Sequence, residues 1–146
     1  MGYELRSHTA DIAVEATGDT LGETFGAVAD GMAAAMCDQW PDGGDHYPVT
    51  VTAEGREALL FDYLDELIYE RDIRSVLPVD NAGRVERVDE SGGDSDGANG
   101  AWRFEGEYRG IPLEQVDARD LKAVTYSEMT VEETAGGWRA YVVFDV

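Results

Sequence analysis

A single cysteine, Cys37, excludes an intramolecular disulfide, and nothing in the chain resembles a paired-thiolate zinc site. A reducing cytoplasm is the expected compartment, and Cys37 itself reads as a small buried hydrophobe near a helix end. Histidine is also scarce: His8 and His46 do not stand at metal-ligand spacing, and His46, beside Tyr47 and Pro48, reads as a loop residue without an evident partner. There is no Gly-rich phosphate loop and no nucleophile elbow. Common catalytic signatures are therefore missing. No stretch reaches the roughly 18 apolar residues of a membrane span, and the start MGYELRSHTAD lacks the basic and apolar regions of a leader. No membrane association is expected.

Positive charge is the other shortage. Against 31 acidic residues stand 11 basic ones, a net charge of −20. Such a surface repels phosphate backbones, so direct, high-affinity binding of RNA or DNA is not expected, and a basic protein partner fits better. The acids are scattered over the whole chain, as in proteins of a salt-rich, halophile-like cytoplasm where screening tolerates them.

With 146 residues the chain has the length of one domain, residues 1–146, able to build a core without disulfide or structural metal. Strand patterns open it: Tyr3 to Arg6, then Ile12, Val14 and Ala16. Thr20 with Glu23 makes a capping box for a helix over about 20–37, whose apolar stripe includes Leu21, Phe25, Met32 and Met36. Gly22, Gly26 and Gly31 inside it cost about 1 kcal/mol each relative to alanine, which close approach to a sheet would explain. Pro41, Gly43 and Gly44 mark a loop before a strand at Val49 to Ala53.

A second helix is expected from Arg56 to about Asp72, with Leu59, Leu60, Tyr63, Leu64, Leu67 and Ile68 inward and Asp62, Asp65, Glu66 and Glu70 outward. Strand-like residues then run from Ile73 to Val88, interrupted at 80–83. The segment DESGGDSDGANG, residues 89–100, reads as a mobile acidic loop. Strands follow at Ala101 to Arg109, Leu121 to Glu133 and Trp138 to Val146, the last apolar on both faces. Strand, helix, strand, strand occurs twice. The expected fold is α+β: a mostly antiparallel, curled sheet with two main helices and a duplicated β-α-β-β arrangement.

Three short clusters place polar groups at the margins of apolar elements: Ser7 to Asp11, Leu121 to Tyr126, and Phe144 to Val146. Asp145 and the carboxylate of Val146 end a packed strand, where an unpaired anion costs several kcal/mol. Something positive is called for. Either the ammonium of Lys122 or a divalent metal held by Asp11, Asp145 and an oxygen of Val146 would serve, and the all-oxygen set suits magnesium, calcium or manganese. The two are not exclusive. Plainer readings stand beside them: Asp11 as a turn cap, His8 as a hydrogen-bonded loop residue, Asp145 at a frayed end and Lys122 facing solvent.

Taken together, the sequences HTADI at 8–12, LKAVTY at 121–126 with Met129 and Val131 following, and FDV at 144–146 resemble the archease family, in the family's order; so does LLFDYLDELIYERD at 59–72. The resemblance spans the chain. It implies not an enzyme but an accessory protein of an RtcB-type RNA ligase, the partner that joins RNA ends in tRNA splicing. Family members promote guanylylation of the ligase's active-site histidine, sustain multiple turnover and broaden the nucleotide accepted. It also implies a divalent metal site at Asp11, Asp145 and Val146, with Lys122 supporting activity and His8, Tyr126 and Glu128 nearby. Where many relatives carry histidine after the motif tyrosine, this chain has Ser127. Two other classes compete: a stand-alone metal-dependent phosphohydrolase or nuclease, in which the aspartates activate water, and a chaperone or scaffold with an exposed apolar patch.

Overall fold

A computed structural model describes residues 2–7, 11–88 and 101–146, the side chains of residues 5–7 and 11 excepted. His8 and the acidic segment 89–100 lie outside the described residues. The elements in chain order are β1 (Gly2–Ser7), β2 (Asp11–Gly18), α1 (Leu21–Met36), β3 (Asp45–Ala53), α2 (Arg56–Arg74), β4 (Val76–Val88), β5 (Ala101–Pro112), β6 (Ala123–Thr134) and β7 (Gly137–Asp145), with a 3₁₀ turn at Leu113–Gln115.

The fold is α+β, and its antiparallel strands form two open sheets, ordered β1-β2-β7-β6 and β3-β5-β4. The duplication is present, but nested rather than consecutive. In one unit β3, α2, β4 and β5 give the order β3-β5-β4; in the other β2, α1, β6 and β7 give β2-β7-β6, with the first unit inserted between α1 and β6. Each helix covers its own sheet and reaches the far edge strand of the other: α1 lies on β1, β2 and β7 and against β4, while α2 lies on β3, β4 and β5 and against β6. Both of those edge strands are bulged, β4 between Val79 and Ala82 and β6 between Thr125 and Thr130. Bulging and helix cover are two ways of keeping an edge from pairing with another chain.

Helix α1 starts as its sequence predicts. The Glu23 amide donates to Thr20 Oγ1 at 3.1 Å, and Glu23 Oε1 in return accepts from the Asp19 amide at 3.1 Å, one residue ahead of the usual capping-box donor. Two of its glycines are explained by β4. A Cβ on Gly22 would stand 2.5 Å from the Gly83 carbonyl oxygen, and one on Gly26 2.7 Å from that of Asn81, so the helix rests directly on the strand's backbone. The core then closes around Phe25, Tyr63 and Phe104, all fully buried, with Tyr63 and Phe104 ring centroids 4.1 Å apart. Cys37 is buried at the C-terminal end of α1 and donates its thiol to the Gln39 carbonyl, as expected of a small core residue.

Several boundaries differ from the sequence reading. Helix α2 continues to Arg74 and stops at Ser75 in the left-handed conformation (φ 56°), with Arg71 and Arg74 stabilising its last turn against the helix dipole. Ile73, read as strand, is helical and exposed. Strand β3 begins at Asp45 rather than Val49 because Pro48 is tolerated on the edge of the sheet. His46 consequently lies in a strand, with Nδ1 3.2 Å from Glu107 of β5. Strand β5 runs on to Pro112, and β6 starts at Ala123 and is broken by its bulge. Glu70, read as facing out, is buried: it accepts from the Tyr108 hydroxyl at 2.6 Å and from Arg74 Nε at 3.3 Å.

Candidate functional site

Strand β7 is interior to its sheet, so its last residue has a neighbour on either side. Asp145 pairs across β2 with Asp11 and across β6 with Ala123. Directly opposed antiparallel residues have Cα atoms about 4.5–5.5 Å apart, which brings the backbones of two aspartates from opposite ends of the chain together. A third segment arrives through the backbone: the Lys122 amide donates to the Asp145 carbonyl oxygen at 2.9 Å.

Lys122 is held there by what precedes it. Leu121 is buried in the core, and Arg119 clamps the preceding loop to the end of α1, its amide donating to the Met36 carbonyl at 2.8 Å and its Nε to that of Ala35 at 2.9 Å. These are among the carbonyls a helix leaves unpaired at its C-terminus, where a cation is favoured. The side chain of Lys122, the one lysine of the chain, is exposed beyond this anchor.

Burial does not drive the cluster. Asp145 is exposed, and Val146 beyond it is 37% exposed, whereas Phe144 is fully buried. The desolvation cost expected of a carboxylate on a packed strand therefore does not fall on Asp145; strand register, not a buried charge in search of a partner, assembles the group. Among the described residues no three of His, Cys, Asp or Glu are grouped so as to hold a metal.

The other candidates lie farther along β6. Tyr126 is three residues from Ala123, about 10 Å at strand rise, inside the bulged segment. Its ring stacks on Phe61 of α2, centroids 4.6 Å apart and planes 8° from parallel, yet it stays 52% exposed. Its hydroxyl pKa is raised, by partial burial first and by the charges of Asp62 and Glu57. Glu128 is exposed, with a left-handed backbone (φ 64°) that a bulge permits. Asp11, Asp145, Lys122 and Val146 thus share one end of the sheet, while Tyr126 and Glu128 stand apart along its edge. Phe61, the partner of Tyr126, lies at the half-buried flank of the α2 apolar stripe, outside the spacing that marks its inward residues.

The sequence profile of the archease protein family matches residues 3–146. The chain belongs to the archease family. Curated relatives agree: the archease of Methanosarcina mazei is 35% identical, the match covering 99% of this chain and 95% of that one, and that of Methanosarcina barkeri is 32% identical with the same coverages. The solution structure of protein 1598 of Methanobacterium thermoautotrophicum superposes with a TM-score of 0.76 at 26% identity, covering 99% of both chains. The crystal structure of a Thermotoga maritima archease, described as a possible chaperone, shares the fold at a TM-score of 0.62 and 22% identity. Among the described residues of the present archease, no helix is long and apolar enough to cross a membrane.

Proposed function

We infer that this archease activates an RtcB-type tRNA-splicing RNA ligase, promoting its guanylylation and repeated turnover in the cytoplasm, and that Asp11, Asp145 and Val146 hold a divalent cation beside Lys122. The observation that supports this reading is the meeting of Asp11, Asp145 and Lys122 at one end of the sheet. Carboxylate and backbone oxygens are hard donors of the kind that calcium, magnesium and manganese prefer. Two side-chain carboxylates and an oxygen of Val146 leave much of a coordination sphere of six or more oxygens open, which suits a cation shared with a partner's oxygens rather than one enclosed.

Guanylylation is a phosphoryl-type transfer dominated by positioning and charge stabilisation. A divalent cation would supply positive charge for nucleotide phosphates at the docked interface. The chain's own part is to present Asp145 and Asp11 on adjacent strands and to hold the ammonium of Lys122, through its anchored backbone, where it orients a phosphate oxygen or an acidic group of the ligase. The surface charge of −20 keeps RNA away from the accessory and leaves it to the ligase. Whether the cation is delivered to the ligase or used to reorganise its pocket, the same residues are required.

The test is RNA ligation by a cognate RtcB-type enzyme with substrate in excess. Addition of the chain should raise the product formed per ligase well above one equivalent, and Lys122→Ala should remove the effect while melting as the wild type does. Unchanged product with the wild-type chain present counts against the reading. RNA or nucleotide hydrolysis by the chain alone, with magnesium or manganese, would point instead to a phosphohydrolase.

A further inference from the structure

Away from that end of the sheet, a cavity of about 290 Å³ lies between α1, β1 and the bulge of β4. Tyr3, Ala27 and Gly83 are among its apolar and backbone walls; Asp30, Asn81 and Glu23 supply its polar ones.

The bulge builds the polar wall. Asp80 is left-handed (φ 51°), a conformation uncommon outside glycine, and is held by Arg109 Nε at 2.7 Å from its carboxylate. The next residue, Asn81, is turned inward and is only 7% exposed. Its backbone amide and its Nδ2 both donate to Asp30 Oδ1 at 2.9 Å, and Nδ2 donates again to the Pro78 carbonyl at 3.2 Å. That arrangement fixes which way the amide points. Exchanging Oδ1 and Nδ2 would set an oxygen against two acceptors.

Asn81 Oδ1 is therefore a buried acceptor, and it has no partner among the described residues. Asp30 itself is half-buried: its Oδ1 takes both Asn81 donors, and among the described residues no cation pairs with its carboxylate. Burial pushes the Asp30 carboxyl pKa up against the opposing effect of its Asn81 hydrogen bonds, with the nearby Asp80 charge adding to the rise. One unsatisfied buried acceptor and a half-buried carboxylate thus line a small cavity with an aromatic wall. Buried polar groups are nearly always satisfied, which calls for a donor at Asn81 Oδ1, and the adjoining Asp30 carboxylate favours one that carries positive charge.

We propose that this cavity is a binding site for a guanidinium or primary ammonium group on a short apolar stem, held by Asp30 and Asn81 Oδ1 with the stem against Tyr3 and Ala27. The cation comes either from a free small amine or from a basic side chain of a protein partner; the chemistry recognised is the same. The site is independent of the carboxylates at the end of β7.

Calorimetric titration with butylguanidinium, with its neutral near-isostere butylurea, and with a capped Gly-Arg-Gly peptide tests this. Butylguanidinium should bind at least tenfold more tightly than butylurea. Asp30→Asn, which keeps an acceptor for the Asn81 amide, should abolish the difference, and Ala27→Val, which fills the cavity but leaves both polar groups, should weaken binding by a similar factor. Asp65→Asn, at an exposed acid of α2, should change nothing, which separates a site from general attraction to an acidic surface. Peptide binding comparable to butylguanidinium identifies a protein side chain as the source; binding of butylguanidinium alone identifies a free amine. Equal affinity for butylguanidinium and butylurea, or equal loss in Asp30→Asn and Asp65→Asn, overturns the proposal, provided melting curves show the variants folded.

Discussion

Asp11 and Asp145 are cross-strand partners, placed opposite each other on β2 and β7. The two strands come from opposite ends of the chain, so the pair exists only in the folded protein, and the fold is what makes the site. Lys122 joins through a backbone hydrogen bond rather than through its side chain, which leaves the ammonium available to a partner.

Replacement of Gly22 by alanine tests the contact between α1 and β4. In an ordinary helix interior the change stabilises by about 1 kcal/mol. Here the new methyl would meet the Gly83 carbonyl oxygen and the Arg84 Cα at 2.5 and 2.7 Å, both backbone atoms that cannot swing away. The sign should reverse, with a loss of about 1–3 kcal/mol in urea unfolding. A stabilised Gly22→Ala variant would show that the helix can lift off the strand at little cost.

Stability should depend on pH through Glu66. Its carboxyl pKa is raised from 4.5 to about 7, by burial first, then by its hydrogen bond with Glu70 and the charges of Glu70 and Asp65, with Arg74 opposing. The folded chain thus holds this proton more tightly than the unfolded chain. The stabilisation is complete below pH 4.5 and is lost as pH rises to about 7. Glu66→Gln should flatten the stability profile across that window and be more stable than wild type at pH 8. Parallel profiles for the two proteins would place the titration elsewhere.

Phe61 and Tyr126 tie α2 to the bulged edge of the other sheet. Because Tyr126 is half-exposed, their stacking should show as a coupling near the lower end of about 0.5–1.5 kcal/mol in a double-mutant cycle of Phe61→Ala and Tyr126→Ala. Additive effects of the two changes would mean that the bulge holds its shape without the helix.

What the sequence allowed to be read follows from the range of the forces involved. Local signals worked: the Thr20 and Glu23 box starts α1, the apolar stripe from Leu59 to Ile68 forms α2, and the disturbance at 80–83 is the bulge of β4. The charge of Glu70 points to solvent, but its helical position points to the core, and position decides. Glu70 follows Tyr63 and Leu67 on the same helical face, and its burial is made tolerable by Arg74, one helical turn on, and by the Tyr108 hydroxyl of β5, which no local window contains. The residues of the candidate site were legible as motifs, and their convergence at one sheet end is a matter of strand register that no local pattern encodes. A buried anion seeking a counter-ion does not account for them, because Asp145 is exposed. Asp30 and Asn81 carry no motif, and their meeting is decided by the β4 bulge that holds Asn81.

The most direct measurement is manganese binding followed by titration calorimetry in salt high enough to screen the net charge. The account predicts one site in the wild-type chain, weakened at least tenfold by Asp11→Asn and by Asp145→Asn and left intact by Asp65→Asn. Equal binding by all four proteins, or none by the wild type, would contradict it.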